Sequence, residues 1–305
     1  MAIFEKKLTP LDKLRENKYK TTQEKLELLT EIEQENFSPK NIIWMLHDKD
    51  QRLREFAYAR LLKQHGKNLF AMLQKELKKA KGRGKRTIQK LLAQTPFEIL
   101  NPYFTKNIFH PQPGQRRQVM DIVQYFSGIK KINHILEEAL KDPIEEIRFI
   151  AVSKYVPYVK RHSVFLLLLP LLQDTSERIR FEILQAFSTT NYPEIVEHFF
   201  SRLPHETGKS SRLIIGTLTR LAKNPDLNIA DRLVPELASD YEISRKQAAN
   251  LLAQMPNKKK CIKSFLFYTR GIAVWLRERI FETLGTIGPK IADAVLELLE
   301  DEDLL

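Results

Sequence analysis

Apolar residues recur at helical spacing along most of the chain. Leu26, Leu28, Leu29 and Ile32 near the start, and Ile291, Val295, Leu296 and Leu299 near the end, each form the stripe that an amphipathic helix buries. Alternating runs of Val, Thr and Tyr bounded by turn residues are missing, so strands are not expected. Prolines stand where helices should begin, at Ser38-Pro39, Asn191-Tyr192-Pro193 and Asn224-Pro225, because proline is tolerated in a first turn and disfavoured later. The longest apolar run, Val164 to Leu172, is broken by Pro170 and falls well short of the roughly 20 residues that span a bilayer. It predicts a buried helix.

The helices repeat. Leu140-Lys141-Asp142 and Leu172-Gln173-Asp174 each precede an arginine by the same spacing, at Arg148 and Arg180, and Asp48 with Arg54 and Asp240 with Lys246 fit the frame. Extending it gives basic anchors at Arg54, Arg86, Arg117, Arg148, Arg180, Arg212, Lys246 and Arg277, spaced at 31, 32 or 34 residues. Leu53, Ile147, Ile179 and Leu276 lie one position before an anchor, and Leu92, Val123, Leu218 and Leu252 six after, on one face of a helix. Each period therefore reads as a helix A, a short turn carrying the aspartate, and a helix B. A single pair cannot bury its apolar face alone, so successive pairs must stack into one core.

On these turn aspartates and helix B bases the chain resembles the HEAT-repeat family, in its short bacterial form, from residue 38 to the end. The resemblance implies an all-α, right-handed solenoid of about eight helical pairs, with residues 1–37 as a capping pair and 38–305 as the repeat domain. It also implies a structural ladder in which Asp48 and Arg54, Asp142 and Arg148, Asp174 and Arg180, and Asp240 and Lys246 tie neighbouring turns together. Ala80, Pro111, Glu206 and Gly271 stand where four other aspartates would be, so the ladder is expected to break there. Asp301 occupies a turn position with no basic anchor after it, which suggests a chain that stops inside a ninth repeat.

The formal charge of +12 changes the picture only locally. Between residues 51 and 90 there are thirteen basic residues against Glu55 and Glu76, whereas both ends are acidic. Lys78, Lys79, Lys81, Arg83, Lys85 and Arg86 are the candidate polyanion contacts, set against the alternative of a solvated face. The single cysteine, Cys261, cannot form an internal disulfide, and the first ten residues lack the apolar run of a signal peptide, so a cytoplasmic home is expected.

Catalytic chemistry is not evident. The glycines in Lys81-Gly82-Arg83-Gly84-Lys85 have neither P-loop nor Rossmann spacing and read as turn formers. His198 and His205 are separated by Pro204 and have no cysteine nearby, so no metal ligation is expected. Neither a cofactor nor enzymatic activity is expected. HEAT-like alkylpurine DNA glycosylases share the fold, and their catalytic aspartate would correspond to Asp121, with Tyr125 one turn later.

The expected function is a non-catalytic scaffold that binds a protein or peptide in the concave groove. Position plus one from each anchor gives Glu55, Thr87, Gln118, Phe149, Phe181, Leu213, Gln247 and Glu278, so Phe149, Phe181 and Leu213, extended by Tyr125, form the candidate partner site. Burial of these side chains between helices is the competing reading. The alternative function is non-specific nucleic-acid binding through residues 52–90.

Overall fold

The computed structural model describes residues 9–16, 22–33, 38–64, 66–227, 229–237, 239–255 and the single positions 282 and 285. Sixteen α-helices and no strand occur among them. The anchor expected at Arg277, Cys261, Glu278 and the half repeat at Asp301 lie outside the described residues.

The chain divides into two compact units, Met1–Ala139 and Leu140–Leu305. The first contains α1 (Pro10–Arg15), α2 (Thr22–Glu33), α3 (Pro39–Ile42), α4 (Gln51–Leu62), α5 (Lys67–Leu77), α6 (Gly82–Ala93), α7 (Phe97–Ile108), α8 (Pro113–Val123) and α9 (Asn133–Ala139). The second contains α10 (Glu145–Tyr155), α11 (His162–Leu168), α12 (Glu177–Phe187), α13 (Ile195–Arg202), α14 (Gly208–Leu221), α15 (Ile229–Leu237) and α16 (Glu242–Gln254). The N-terminal helices join the first unit for a physical reason. They bury Leu14, Leu28 and Ile32, and the Lys25 ammonium grips the Asp50 carboxylate at the start of α4. That hydrogen bond holds the Asp50 carboxyl below its ordinary pKa.

Helix starts follow capping chemistry. Thr9 Oγ1 accepts from the Asp12 N–H at 3.2 Å while the Asp12 carboxylate accepts from the Thr9 N–H, a reciprocal cap for α1. Asp50 accepts from the Arg52 N–H at 2.9 Å and caps α4, and Ser176 Oγ accepts from the Ile179 N–H at 3.3 Å and caps α12.

The even-numbered helices α4, α6 and α8 pack on one another in the first unit, as α10, α12, α14 and α16 do in the second. These are the B helices. Their buried residues repeat at helical intervals: Leu53, Ala57 and Leu61 on α4; Ile88 and Leu92 on α6; Val119 and Val123 on α8. In the second unit they are Ile147, Ala151 and Tyr155; Ile179, Ile183 and Phe187; Ile214 and Leu218; and Ala248 and Leu252. These residues sit three and seven positions after Arg54, Lys85, Arg116, Arg148, Arg180, Ser211 and Arg245, and one before where that side chain is apolar.

Four expected anchors therefore move by one residue. Arg86, Arg117, Arg212 and Lys246 are exposed and follow the true register position immediately. Tandem bases at 85–86, 116–117 and 245–246 make the two registers indistinguishable by charge; only burial separates them.

The true anchors share a geometry. Arg54, Arg116, Arg148, Arg180 and Arg245 each donate from Nη1 to the carbonyls six and five residues earlier, at 2.7 to 3.2 Å. In the same five turns the residue six before the arginine accepts a backbone N–H on its own side chain: Asp48, His110, Asp142, Asp174 and Ser239. The fourth expected ladder pair is accordingly Ser239 and Arg245. Asp240 accepts from Arg245 on its carbonyl, and Lys246 pairs with Glu242 on its own helix. The remaining two B helices, α6 and α14, have no such arginine, and each begins at a glycine of positive φ, Gly82 at 53° and Gly208 at 56°. A left-handed glycine closes the turn that the arginine closes elsewhere.

Contact between turns uses the other edge of the guanidinium. Arg148 Nε and Nη2 donate to the two Asp174 oxygens at 2.7 and 2.8 Å, a bidentate pair reaching the next turn. The expected break at Glu206 does not occur. Arg180 Nε donates to Glu206 Oε1 at 2.7 Å, and Arg202 holds the same carboxylate, so the longer side chain spans the position an aspartate would fill.

Candidate functional site

Between α4 and α6 lies a groove of about 390 Å³ lined by Gln51, Arg54, Glu55, Tyr58, Arg83, Arg86, Thr87 and Lys90. The spacing explains the wall. Arg83, Arg86 and Lys90 lie three and four residues apart and thus on one face of α6, as Gln51, Glu55 and Tyr58 do on α4. Arg54 is held by its two turn carbonyls, and no other described residue accepts from it, since the turn before α6 carries no carboxylate. Lys90 Nζ stands 5.7 Å from the Tyr125 ring centre. Gln51 donates to Glu55, the single carboxylate of the groove, at 2.7 Å.

The rest of the basic segment is dispersed. Lys78 lines a different groove with Lys75, Tyr103 and Gln118, Lys79 pairs with Glu76 at 3.2 Å, and Lys81 is exposed in the turn before α6. Lys85 pairs with Asp121 at 3.0 Å, and Gln89 donates to the same Asp121 oxygen at 3.0 Å. The candidate catalytic aspartate of the glycosylase comparison is thus held by a cation and an amide. Burial, followed by the Asp121 charge, pushes the Tyr103 hydroxyl up to about 12.

In the second unit Phe149 and Phe181 occupy the same register position on α10 and α12, immediately after Arg148 and Arg180, and both are half-buried. The Arg178 guanidinium lies 3.4 Å from the Phe149 ring centre, a cation–π stack between the two helices. Leu213, expected beside them, is half-buried but one position off, because the register residue of α14 is Ser211; Arg212 takes the equivalent place. Thr87, Gln118 and Gln247 leave the solvent row for the same reason, replaced by Arg86, Arg117 and Lys246. Tyr125 is half-buried just after α8, in the first unit, with Lys90 beside it. Reading the register from the apolar residues alone would have placed all four cations correctly. Arg178 and Tyr58 carry no signal short of the folded helix pairs.

Among the described residues no group of three His, Cys, Asp or Glu side chains could hold a metal ion, and no helix is long and apolar enough to cross a membrane.

No family model matches the chain, and no curated protein matches its sequence. Solved structures do match. One of Kap95p binding RanGDP aligns over 94% of this chain and 46% of that one, at 11% identity and a TM-score of 0.50. The fold is an α-solenoid. The karyopherin Kap121p bound to the SUMO protease Ulp1p covers 93% of this chain and 37% of its own at 13% identity, with a TM-score of 0.47. A designed armadillo-repeat protein covers 61% of this chain and 99% of its own at 13% identity and a TM-score of 0.33. The chain spans less than half the length of the karyopherins it matches, and identities this low speak to fold alone.

Proposed function

We propose that the chain is a non-catalytic, HEAT-like scaffold, working in the cytoplasm, that binds a protein or peptide on the solvent-facing row of its B helices. The observation that carries this reading is the pair Phe149 and Phe181. Each is a large aromatic side chain at the same position on adjacent helices, where the flanking repeats have charged residues, and each keeps part of its surface in contact with water. Half-exposed aromatics set among cations such as Arg178 and Arg212 have the composition of interface anchors. Kap95p, whose fold is similar, binds RanGDP, which supports a protein ligand for a solenoid of this kind. Capture from native lysate with and without nuclease tests the reading: a protein partner survives nuclease treatment.

The second reading, non-specific nucleic-acid binding through residues 52–90, is favoured by the local excess of thirteen bases over two acids. It predicts binding of random duplex DNA that falls steeply with salt and is lost when Lys78, Lys79, Lys81 and Arg83 become glutamine. Against it stands the distribution of these side chains over two grooves and a turn. Glycosylase activity would need Asp121 as a free base, and both its known contacts oppose that role.

A further inference from the structure

Arg54 is an interrupted rung. Its counterparts Arg148 and Arg180 both use the Nε edge of the guanidinium on a carboxylate from the following turn, Asp174 or Glu206. The turn that follows Arg54 supplies Lys79, Ala80, Lys81 and Gly82, none of them an acceptor side chain. Arg54 therefore lines the α4–α6 groove with a preorganised guanidinium, fixed from behind by two carbonyls at 2.7 and 2.8 Å. Above it stand three exposed cations on one face of α6, Arg83, Arg86 and Lys90, with no carboxylate paired to any of them among the described residues.

We infer that this groove is a carboxylate-recognition site for an acidic segment of a protein partner. One ligand carboxylate takes the missing rung at Arg54, as Asp174 does at Arg148, and its neighbours meet Arg83, Arg86 and Lys90. Charge complementarity sets the sign of the ligand, and the missing acceptor sets its geometry, because a guanidinium edge matches a planar carboxylate in a bidentate pair. A nucleic-acid ligand fits less well. A phosphate track needs cations in a continuous line, whereas Lys75 and Lys78 face another groove and Glu55 sits within this one. The inference rests on the reading of the chain as a protein binder and names the chemistry of the partner.

The test is the affinity of the whole chain for a fluorescent oligoglutamate peptide, with random duplex DNA of similar charge measured in parallel. Changing Arg83, Arg86 and Lys90 together to glutamine should weaken peptide binding by about tenfold or more, as loss of several complementary charges at one site does. Changing Lys78, Lys79 and Lys81 to glutamine removes the same formal charge outside the groove and should leave the affinity nearly unchanged. Thermal melts of both variants check that neither effect reflects unfolding. Equal weakening by the two triple variants, no peptide binding by the unmodified protein, or tighter binding of DNA than of peptide would each overturn the proposal. If the peptide fails to bind while Phe181-dependent protein capture persists, the groove site is wrong and the scaffold reading stands. If the peptide binds and capture fails, the scaffold reading is the one at fault.

Discussion

Replacing Arg148 by alanine should destabilise the second unit by about 3 kcal/mol, more than the same change at Arg180. The Arg148 side chain is 12% exposed and its partner Asp174 only 4%, so the pair is largely removed from water. Truncation deletes the bidentate bonds to Asp174 and the bonds to the Asp142 and Pro143 carbonyls. A lost charged hydrogen-bonded pair costs about 1.5–3 kcal/mol, a lost turn bond about 1 more, and a carboxylate left buried without its cation sets an upper bound of about 5. Asp174 keeps the Ser176 N–H at 2.8 Å, which holds the loss near the middle of that range. At Arg180 the stranded group would be Glu206, which retains Arg202, so a loss of about 1–2 kcal/mol is expected there.

The effect should also depend on pH. Burial pushes the Asp174 carboxyl up, but the hydrogen bonds from Arg148 and from the Ser176 N–H, with the charges of Arg148 and Arg180, outweigh it and leave the group below its ordinary value of 3.8. A carboxyl with a depressed folded pKa contributes stability above its unfolded pKa and loses it as pH falls through the folded one. The gap between wild type and Arg148→Ala should therefore be full at neutral pH and shrink below about pH 4. Urea denaturation at both pH values, with hydrogen exchange of α10 and α12 to locate the loss, measures this. An Arg148→Ala midpoint equal to wild type at neutral pH, or no larger a shift than Arg180→Ala, would refute the role assigned to the pair.

Other outcomes follow from single contacts. Gly84→Ala would set its Cβ 2.9 Å from the Leu46 carbonyl oxygen, backbone that cannot swing aside, and should cost about 1–2 kcal/mol in a thermal melt. Gly216→Ala, inside α14 with open space around it, should instead gain about 0.5–1 kcal/mol by helix propensity. Removing the Arg178 guanidinium with Arg178→Gln should expose more of the Phe149 ring and cost less than about 1 kcal/mol, because the stack lies at the surface.

The all-α fold and the helix pairs were legible because apolar spacing and proline positions are local signals. Basic residues alone marked the phase of the repeat correctly only at Arg54, Arg148 and Arg180. There an apolar residue precedes the base, whereas Gly84 and Gln115 precede Lys85 and Arg116, and tandem bases leave charge unable to choose between neighbours. That one-residue offset put Leu213 where Arg212 stands in the row of Phe149 and Phe181, and set Arg86, Arg117 and Lys246 one position away from it. The continuation of the ladder at Glu206 was illegible for another reason: side-chain length compensated a change in residue type, which only the folded turn reveals. The α4–α6 groove combines residues about thirty positions apart, so it becomes a site only when the two helices pack.

The claim that this solenoid is a protein-binding scaffold is tested most directly by the double change Phe149→Ser and Phe181→Ser, assayed by capture from nuclease-treated lysate alongside circular dichroism. Both rings are half-buried and lie outside the apolar core of α10 and α12, so helicity should be retained while a partner captured by the wild-type chain is lost. Identical capture by both proteins, with the double variant fully helical, would contradict the account.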